Sequence, residues 1–389
     1  MTGNVTSIAK VRAAARRRTD SARVNTKVAS ILLVTVVVLL VMGLGEILSA
    51  SSIRGIADAE DRFFYFKRQL IGLGVGVVAM VVIARIPYRA YLRLAMPFYF
   101  TCLGLLVAVF FVGLARNGSR RWLDLGFVTF QPSELSKLAV VIALAALLER
   151  KGKGASEAGR FARPLLTTVG LTCALILLQP DLGTTLVTAA AGLAVLLVSR
   201  APFKFVAGVC GLAVAAGLLF SVTAGYRMDR IDSFLDPWAD PSGTGYQVIQ
   251  GYYALGTGGL FGVGLGASRA RWSYLPNAHT DFIFAIIGEE TGLVGALMVI
   301  ALCMAIALVG WSIAARAPDR FGRMVAAGIT GWLSFQALTN IGGVLGVLPI
   351  TGIVLPFVSF GSTALISSLA GVGVLVNIAQ HGTDKGSTR

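Results

Sequence analysis

Charged residues and histidines are scarce in this chain of 389 residues: charged residues make up 14% of it, and only two histidines occur. The four cysteines, Cys102, Cys173, Cys210 and Cys303, lie singly inside apolar segments. Without paired spacing they indicate neither a zinc site nor a thiol–disulfide couple, so we interpret them as packing residues. The sequence also lacks a P-loop, which excludes nucleotide binding of that type.

Hydrophobic residues, in contrast, make up 56% of the sequence, and the mean hydropathy is +0.77. This apolar content exceeds what a soluble globule needs. Runs long enough to cross about 30 Å of hydrocarbon as helices recur along the whole chain. An α-helix satisfies its own backbone in lipid, and the alternating pattern of a membrane barrel is absent. We therefore predict an all-α fold, a polytopic bundle of about ten transmembrane helices.

The predicted spans cover residues 28–50, 68–86, 94–114, 133–149, 165–180, 182–199, 203–224, 282–313, 325–348 and 351–378. They form one integral membrane domain, residues 28–380, between a basic, disordered tail (1–27) and a short C-terminal tail (381–389). A polar loop, 225–281, separates the seventh and eighth spans, and loops of that size are usually functional or disordered. Its aromatic residues and glycines favour order, and residues 246–260 suit an amphipathic or re-entrant piece.

The formal net charge of +15 is distributed unevenly. About two thirds of the Lys and Arg residues fall on the same side of the membrane as the N-terminal tail, which is the positive-inside pattern. This asymmetry predicts that both termini face the cytoplasm. Nucleic-acid binding is not needed to explain the charge.

Acidic residues at the edge of a membrane are costly enough to be functional candidates. On the outer side these candidates are Glu134, Asp181, Asp281, Glu289 and Glu290. For Asp281 two interpretations stay open: with Thr280 it completes a helix N-terminus, or it acts as a general base. Glu289 follows eight residues later, about 12 Å along a helix, which is too far for a paired-carboxylate site.

Basic residues cluster in the first outer loop, at Arg116, Arg120 and Arg121. Their planar guanidinium groups suit a phosphate or diphosphate, although anchoring to lipid headgroups would use the same residues. Trp122 could pack on a sugar or lie in the interfacial aromatic belt. Glu134 and Lys137, three residues apart, share one helix face.

Two further segments depart from a simple helical pattern. The glycine-rich stretch Gly256–Gly266 follows no strand and opens no βαβ unit, so it is not a dinucleotide fingerprint. We interpret it as a flexible or closely packed segment under the site. The stretch LPITGIVLP, Leu348–Pro356, breaks the apolar pattern as membrane-embedded breaks do where they line a cavity.

Several long motifs in these segments resemble those of the FtsW/RodA family, the membrane peptidoglycan glycosyltransferases of shape, elongation, division and sporulation. They are NGSRRWLDLG and FQPSELSK (117–137), QPDLGT (179–184), DPWADPSGTGYQ (236–247), LPNAHTDFIFAIIGEETG (275–292) and LPITGIVLPFVSFG (348–361). The resemblance covers nearly the whole membrane domain, in order. Asn277-Ala278 and Gly288-Glu289-Glu290 are more similar to the division branch, FtsW, than to the elongation branch, RodA. The chain departs from the family pattern at Gly361-Ser362-Thr363, where a second glycine is usual.

The resemblance implies roles for individual residues. Asp281 corresponds to the catalytic base of the family. The residues implied in binding or orienting the substrate are Arg116, Arg121, Trp122, Glu134, Lys137 and His279. No dedicated ligand cluster is visible in the sequence for a divalent cation, Mg²⁺ or Mn²⁺, that could share the charge of the substrate.

The resemblance also implies an activity, the polymerisation of lipid II at the outer face of the bacterial cytoplasmic membrane, at the division septum. The implied partners are a class B penicillin-binding protein as transpeptidase, other membrane proteins of the division complex and membrane lipids. Three alternatives stay open: a transporter that flips lipid II, a non-catalytic division scaffold and an elongation-type polymerase. Broken helices and charges inside the membrane suit a transporter too.

Overall fold

The computed structural model describes residues 3–87, 89–116, 119–124, 126, 129–150, 157–222, 225–272, 275–276 and 278–381. Its α-helices are α1 (Gly3–Ala59), α2 (Phe64–Arg85), α3 (Ala90–Val112), α4 (Pro132–Arg150), α5 (Glu157–Leu165), α6 (Leu171–Leu178), α7 (Leu182–Val198), α8 (Phe203–Val222), α9 (Gly225–Leu235), α10 (Tyr246–Gly258), α11 (Ile283–Arg316), α12 (Arg320–Val344) and α13 (Ser362–His381). A π-helical turn, Leu166–Gly170, joins α5 to α6. Its strands are β1 (Leu114–Arg116), β2 (Ser119–Asp124) and β3 (Thr129–Phe130).

The all-α membrane bundle predicted from hydropathy is confirmed. Each predicted span overlaps a helix, with α5 and α6 together forming the fifth. Within the described ranges, six helical segments are long and apolar enough to cross a membrane by length and composition: Asn25–Ala59, Phe64–Arg85, Ala90–Val112, Gly159–Leu178, Ile283–Arg316 and Ser362–His381. Of the remaining spans, α7 and the fully described part of α8, Phe203–Gly217, are apolar but shorter, and α4 and α12 carry buried polar groups.

The first helix begins at Gly3, whereas residues 1–27 are predicted to be disordered. The tail is rich in alanine and arginine, which are strong helix formers, so the helix can continue outward beyond the apolar run.

The last span is shorter than predicted, because its helix starts at Ser362 and not at residue 351. The preceding residues, 345–361, form an irregular segment, here called the α12–α13 segment. Pro349 and Pro356 lack the backbone donor that a helix needs, and Gly352 has a φ of 72°. Phe357 also has a positive φ, 66°. The predicted break at Leu348–Pro356 is therefore confirmed, and it extends further along the chain.

Helix α13 lies in the centre of the bundle and packs against α1, α2, α4, α11 and α12. Small residues allow the closest of these contacts. A Cβ atom at Gly373 would lie 2.6 Å from the backbone oxygen of Met80 in α2. Likewise, a Cβ atom at Gly72 in α2 would lie 2.8 Å from Cβ of Ser362. Ser362, the first departure from the family pattern, therefore fits against a glycine on the neighbouring helix.

A small antiparallel sheet, in the order β1-β2-β3, replaces the outer loop predicted between the third and fourth spans. Strand β2 pairs Leu123 with Phe130 and Asp124 with Thr129 of β3. The Asp124 carboxylate accepts a hydrogen bond from the backbone of Gly126, whose φ of 82° permits the turn. Strands this short have too few alternating residues to be predicted from hydropathy.

The glycine-rich stretch packs closely against α11. A Cβ atom at Gly258 would lie 1.9 Å from the backbone oxygen of Gly288, and one at Gly262 would lie 2.1 Å from that of Glu290. Helix α11 is itself interrupted at Gly292, where φ is 69°. Of the two interpretations of this stretch, the closely packed one is correct. The predicted amphipathic piece at 246–260 is helix α10.

The basic segments predicted to face the cytoplasm meet at one end of the bundle. Arg150, at the end of α4, donates to the backbone oxygen of Leu92 at 2.8 Å. Arg320, at the start of α12, donates to that of Ser199, just after α7, at 2.7 Å. Near the end of α13, Asn377 donates to the backbone oxygen of Ala84 at 2.7 Å. That this end faces the cytoplasm remains a prediction.

Candidate active site

The opposite end of the bundle holds a small open pocket of about 200 Å³ beside Asp281. Asp281 lies two residues before α11, and the other walls are the end of α12 and the α12–α13 segment. The lining residues are Asp281, Phe282, Thr339, Asn340, Gly343, Val344, Ile350, Thr351, Gly352 and Ile353. Hydropathy places this end at the membrane surface, because α11 enters the apolar layer from here.

One buried amide holds two walls of the pocket together. The Nδ2 atom of Asn340 donates to the backbone oxygen of Asp281 at 2.9 Å and to that of Ile353 at 2.7 Å. Asn340 is 5% exposed, so these bonds are shielded from water. The position of Asp281 is thereby tied to the α12–α13 segment.

The structure contradicts one part of the helix-N-terminus interpretation, because no side chain, Thr280 included, caps α11, whereas an interaction of Asp281 with the dipole of α11 stays a prediction. Helix α11 begins at Ile283 with Phe282 in the N-cap position, and no side chain caps it. A capping aspartate would accept a hydrogen bond from a backbone amide of the first turn. Asp281 stands one residue too early for that role.

The environment of Asp281 raises its pKa to about 6, from an ordinary value of 3.8. Burial is the main cause, because it penalises the charged form, and the charge of Asp181 adds to it. Arg230 and a hydrogen bond from Thr280 oppose the shift. A carboxylate with this pKa is a stronger base than an ordinary aspartate and is still mostly ionised at neutral pH.

Arg230, in the short helix α9, is the cationic residue on the far side of the pocket. A Cβ atom at Gly352 would lie 3.6 Å from Oδ2 of Asp281 and 3.9 Å and 4.0 Å from the two Nη atoms of Arg230. Arg230 also lines a second pocket, of about 180 Å³, that shares Gly343 and Ile350 with the first. The two pockets therefore form one groove with the carboxylate and the guanidinium group along it.

Sequence reasoning does not single out Arg230, which stands in a long polar loop with three other basic residues. Its proximity to Asp281 depends on how α9 packs over the α12–α13 segment. The one local signal is that α9 is amphipathic, with Ser233 buried and Arg230 exposed.

Arg121 and Asp181 form a polar cluster at the start of α7. The Asp181 carboxylate accepts from the backbone of Thr184 at 3.0 Å and so caps α7. Arg121, in β2, donates to the backbone oxygens of Gln179 and Pro180, and one of its Nη atoms lies 3.8 Å from Asp181. This arrangement fixes β2 on the α6–α7 turn.

Glu134 and Lys137 form a buried ion pair inside the bundle, with Nζ and Oε2 2.8 Å apart. Lys137 is 1% exposed and also donates to Oε1 of Gln336 at 2.9 Å. Gln336 in turn donates to the backbone oxygen of Val354 at 3.0 Å, and Trp332 donates to its Oε1 at 2.7 Å. The pair thus supports the α12–α13 segment from behind, and the geometry favours a positioning role over direct contact with substrate.

The other candidate binding residues of the outer loop are Trp122, Arg120 and Arg116. Trp122 is half-buried in β2, one residue from Arg121, so the two side chains point to opposite faces of the strand. Arg120 is exposed and donates to the backbone oxygen of Phe110 at 3.3 Å. The side chain of Arg116 lies outside the described part of the chain. The substrate-binding roles of Arg116, Arg121 and Trp122 remain predictions.

His279 packs in an aromatic cluster, with its ring 4.7 Å from that of Tyr65 and 5.7 Å from that of Phe360, between centroids. Its backbone oxygen accepts from the amide of Phe360 at 3.0 Å. Burial and the nearby charge of Arg54 lower the pKa of His279 to about 4, although Asp58 opposes this shift. His279 is therefore neutral at physiological pH. The cluster joins the loop before α11 to α2 and to the end of the α12–α13 segment.

Glu289 and Glu290 are both buried and bind the loop that precedes Asp281. Glu289 accepts from the hydroxyl of Ser268 and from the backbone of Arg269 at 3.0 Å. Glu290 accepts from the backbone of Gly266 at 2.8 Å and from the hydroxyl of Ser49 in α1. Both carboxylates are thus occupied in holding the loop, in agreement with the argument from spacing against a pair with Asp281.

Thr363, the second departure from the family pattern, has a place at the edge of the site. Its hydroxyl donates to the backbone oxygen of Thr129 and accepts from the amide of Gln131, both at 3.1 Å. The departure therefore links α13 to β3. Nowhere in the described ranges do three or more His, Cys, Asp or Glu residues group as they would to hold a metal ion.

The chain is similar in sequence to proteins of one known family. The family model of the cell cycle proteins FtsW, RodA and SpoVE matches residues 30–384. Stage V sporulation protein E of Bacillus subtilis is 41% identical over 90% of this chain and 96% of its own length. A probable peptidoglycan glycosyltransferase FtsW of Geobacter sp. (strain M18) is 37% identical, over 90% of this chain and 96% of its own length.

Solved structures give the same result. A chain of a peptidoglycan synthase complex, studied for the coordination of polymerization and crosslinking, is similar with a TM-score of 0.74 and 32% identity. The match covers 90% of this chain and 97% of that one. The rod shape determining protein RodA of Thermus thermophilus is similar with a TM-score of 0.66 and 29% identity, over 90% of this chain and 96% of its own.

Proposed function

This chain belongs to the FtsW/RodA/SpoVE family of cell cycle proteins, and from that premise we propose that it is a peptidoglycan glycosyltransferase that polymerises lipid II into glycan strands. The observation that carries the proposal is the groove in which Asp281, with a pKa near neutrality, lies across Gly352 from Arg230. A base beside a cation suits glycosyl transfer from a diphosphate donor, because one group takes the acceptor's proton and the other stabilises the leaving group.

The chemistry follows from the two groups. The Asp281 carboxylate would accept the proton of the acceptor 4-hydroxyl as that oxygen attacks the donor sugar. Arg230 would bind the departing lipid diphosphate, whose negative charge grows as the bond breaks. Burial of the Asp281 carboxyl group raises its pKa and so makes it a stronger base.

Of the basic residues predicted to bind the diphosphate, Arg116 has its side chain outside the described part of the chain. The other two, Arg121 and Lys137, have other partners in the structure. Both already bind protein groups: Arg121 donates to carbonyls of the α6–α7 turn, and Lys137 to Glu134 and Gln336. We propose that they position the walls of the groove, and that Arg230 supplies the positive charge that binds the diphosphate.

The binding of a divalent cation, Mg²⁺ or Mn²⁺, is also a proposal, and such an ion would take its ligands mainly from the diphosphate. Chelation with EDTA during synthesis tests for it.

The site of action proposed is the outer face of the bacterial cytoplasmic membrane, at the division septum. The distribution of basic residues supports an outer location for the groove, because the basic segments meet at the opposite end. Relatives named FtsW support the septal role, whereas similarity to a sporulation protein and to RodA keeps sporulation and elongation as competing roles. The proposed partner is a class B penicillin-binding protein that crosslinks the new strands, together with other membrane proteins of the division complex.

The decisive experiment uses the purified protein with its transpeptidase partner and labelled lipid II. We expect glycan strands from the natural protein and none from the Asp281→Asn variant. Glycan from both proteins would contradict the assignment of the base. If neither made glycan but both moved lipid II across vesicle membranes, the chain would be a transporter. If both failed in each assay and still bound the partner, the chain would be a scaffold.

A further inference from the structure

Four arginines gather at the end of the bundle opposite to Asp281. Arg160 lies in α5, Arg320 and Arg323 lie in the first turn of α12, and Arg200 follows α7. We call these four residues the arginine cluster. Arg200 has a φ of 63°, a conformation at the end of a helix that usually selects glycine, so a charged side chain is kept here at a conformational cost.

The cluster carries an excess of positive charge. The charges of Arg160 and Arg200 both act unfavourably on Arg320, and Glu149 at the end of α4 offsets only part of this repulsion. The ion pairs formed within the described ranges involve none of the four arginines. Like charges held together in this way attract an anion.

The cluster also holds donors that lack acceptors. The Nε atoms of Arg160, Arg320 and Arg323 are buried, and each is without a hydrogen-bond partner among the described residues. Arg320 uses one Nη atom to bind the backbone oxygen of Ser199, which leaves its other donors to a further ligand. Tetrahedral phosphate oxygens match the fork of donors on a guanidinium group.

Exposed apolar side chains flank the arginines along the chain. Leu197 precedes Arg200 by three residues and is 60% exposed, and Phe203 follows it by three and is 84% exposed. Leu166, one residue after α5, is 64% exposed. A ligand that fits both features carries a phosphate next to hydrocarbon chains.

We propose that the arginine cluster binds the headgroup phosphate of an anionic phospholipid, with the acyl chains lying along the apolar surface of α7 and α8. Basic pockets between helices at the cytoplasmic ends of membrane proteins suit such headgroups. The proposed lipid site is at the other end of the bundle from the groove. Its test therefore does not depend on whether the proposed glycosyltransferase activity is correct.

The test compares lipid affinity in the full chain, purified in detergent. Phosphatidylglycerol, phosphatidylcholine and inorganic phosphate are titrated separately, and binding is measured from the rise in Tm and from lipid adducts in native mass spectrometry. The variants are Arg160→Gln and Arg323→Gln, because the Nε atom of each side chain lacks a hydrogen-bond partner within the described part of the chain. Arg163→Gln is the matched control, since Arg163 lies on the same helix as Arg160 and is exposed.

Phosphatidylglycerol is expected to bind the natural protein and the Arg163→Gln control equally. Each cluster variant should bind it about tenfold more weakly, the effect of losing one charge-assisted hydrogen bond. Phosphatidylcholine should give no comparable rise in Tm. Equal affinity in all four proteins would overturn the proposal. An equal effect of inorganic phosphate would overturn it too, because the site would then bind a free anion. If a variant is less stable, the lipid adducts counted by native mass spectrometry at room temperature still measure binding, because the protein remains folded there.

Discussion

The carboxylate of Asp281 and the guanidinium group of Arg230 face each other across Gly352, an arrangement in which α9 and the residue before α11 meet at the α12–α13 segment. A side chain at Gly352 would lie between them, within 4.0 Å of both groups. The positive φ of Gly352 is a backbone conformation that favours glycine over residues with a side chain. Burial raises the pKa of Asp281 and the charge of Arg230 lowers it, so these two opposing effects together set the strength of the base.

The rate of glycan synthesis is expected to follow the ionisation of Asp281. Because the carboxylate must be deprotonated to act as a base, kcat/KM should fall below pH about 6, by about tenfold for each pH unit. Rates measured with labelled lipid II between pH 5 and 8 give the profile. A profile that stays flat down to pH 5, within the stable range of the protein, would contradict this role for Asp281.

Removing the charge of Asp281 is expected to stabilise the protein while it abolishes activity. The folded-state pKa of about 6 exceeds the ordinary 3.8, so the folded state holds its proton more tightly and loses stability as pH rises through that window. At pH 7.5 the Asp281→Asn variant should therefore be more stable by about 1–3 kcal/mol.

Thermal unfolding in one detergent at pH 4.5 and 7.5 checks this second prediction. The gain in Tm should be large at pH 7.5 and should shrink at pH 4.5, where the natural carboxyl group is protonated in the folded state. A variant that is less stable at pH 7.5 would show that Asp281 makes a favourable structural contact in its ionised form.

Arg230→Gln is expected to slow synthesis and to move its pH profile. Without the guanidinium charge, the pKa of Asp281 should rise above about 6, so the acid limb shifts to higher pH. The loss of one group that stabilises the diphosphate should lower kcat by about 100-fold. Arg230→Lys, which keeps the charge but loses the planar fork, should keep the natural acid limb with an intermediate rate. A variant with the natural rate and limb would remove Arg230 from the site.

The parts of the site that sequence reasoning finds are those that leave a local mark. Asp281 is conspicuous because a carboxylate at the edge of a membrane span is costly, and the spacing to Glu289 argues against a pair. The spans are found because lipid demands long apolar runs. Arg230 has no such mark, since its distance from Asp281 depends on contacts between α9 and residues more than 100 positions away.

The same reasoning misassigns elements wherever polar contacts override hydropathy. Residues 351–361 are apolar enough to continue the last span, yet they leave the helix. In this stretch the side-chain amides of Gln336 and Asn340 donate to the backbone oxygens of Val354 and Ile353. These side-chain donors replace the backbone donors that a helix would otherwise provide. Such side-chain substitutes for helical bonds cannot be recognised from composition alone.

The buried pair Glu134–Lys137 is expected to matter for stability more than for contact with substrate. Lys137→Met alone would leave Glu134 buried and uncompensated, at a cost of about 3–5 kcal/mol. Replacing both residues, Glu134→Gln with Lys137→Met, should cost less than the sum of the single changes. Thermal unfolding of the four proteins gives this cycle. The exposed pair Lys67–Asp61 is the matched control, and Lys67→Met there should change the Tm little, because water screens the two charges. Additive losses at Glu134 and Lys137 would show that the two residues act independently.

His279 is expected to act through packing, so an aromatic replacement should preserve synthesis. His279→Phe keeps a ring against Tyr65 and Phe360 and should retain most of the rate of glycan synthesis. His279→Ala removes the ring and should lower both stability and rate, because the cluster positions the loop that carries Asp281. The pH dependence gives a separate test: with a folded-state pKa of about 4, below the ordinary 6.5, His279 contributes stability that grows as pH rises between those values, whereas Asp281 loses stability over much of the same range. The Phe variant keeps only the loss from Asp281, so between pH 4.5 and 6.5 its Tm should fall relative to that of the natural protein. A Phe variant as inactive as Asp281→Asn, at natural stability, would instead assign His279 a direct role in binding the substrate.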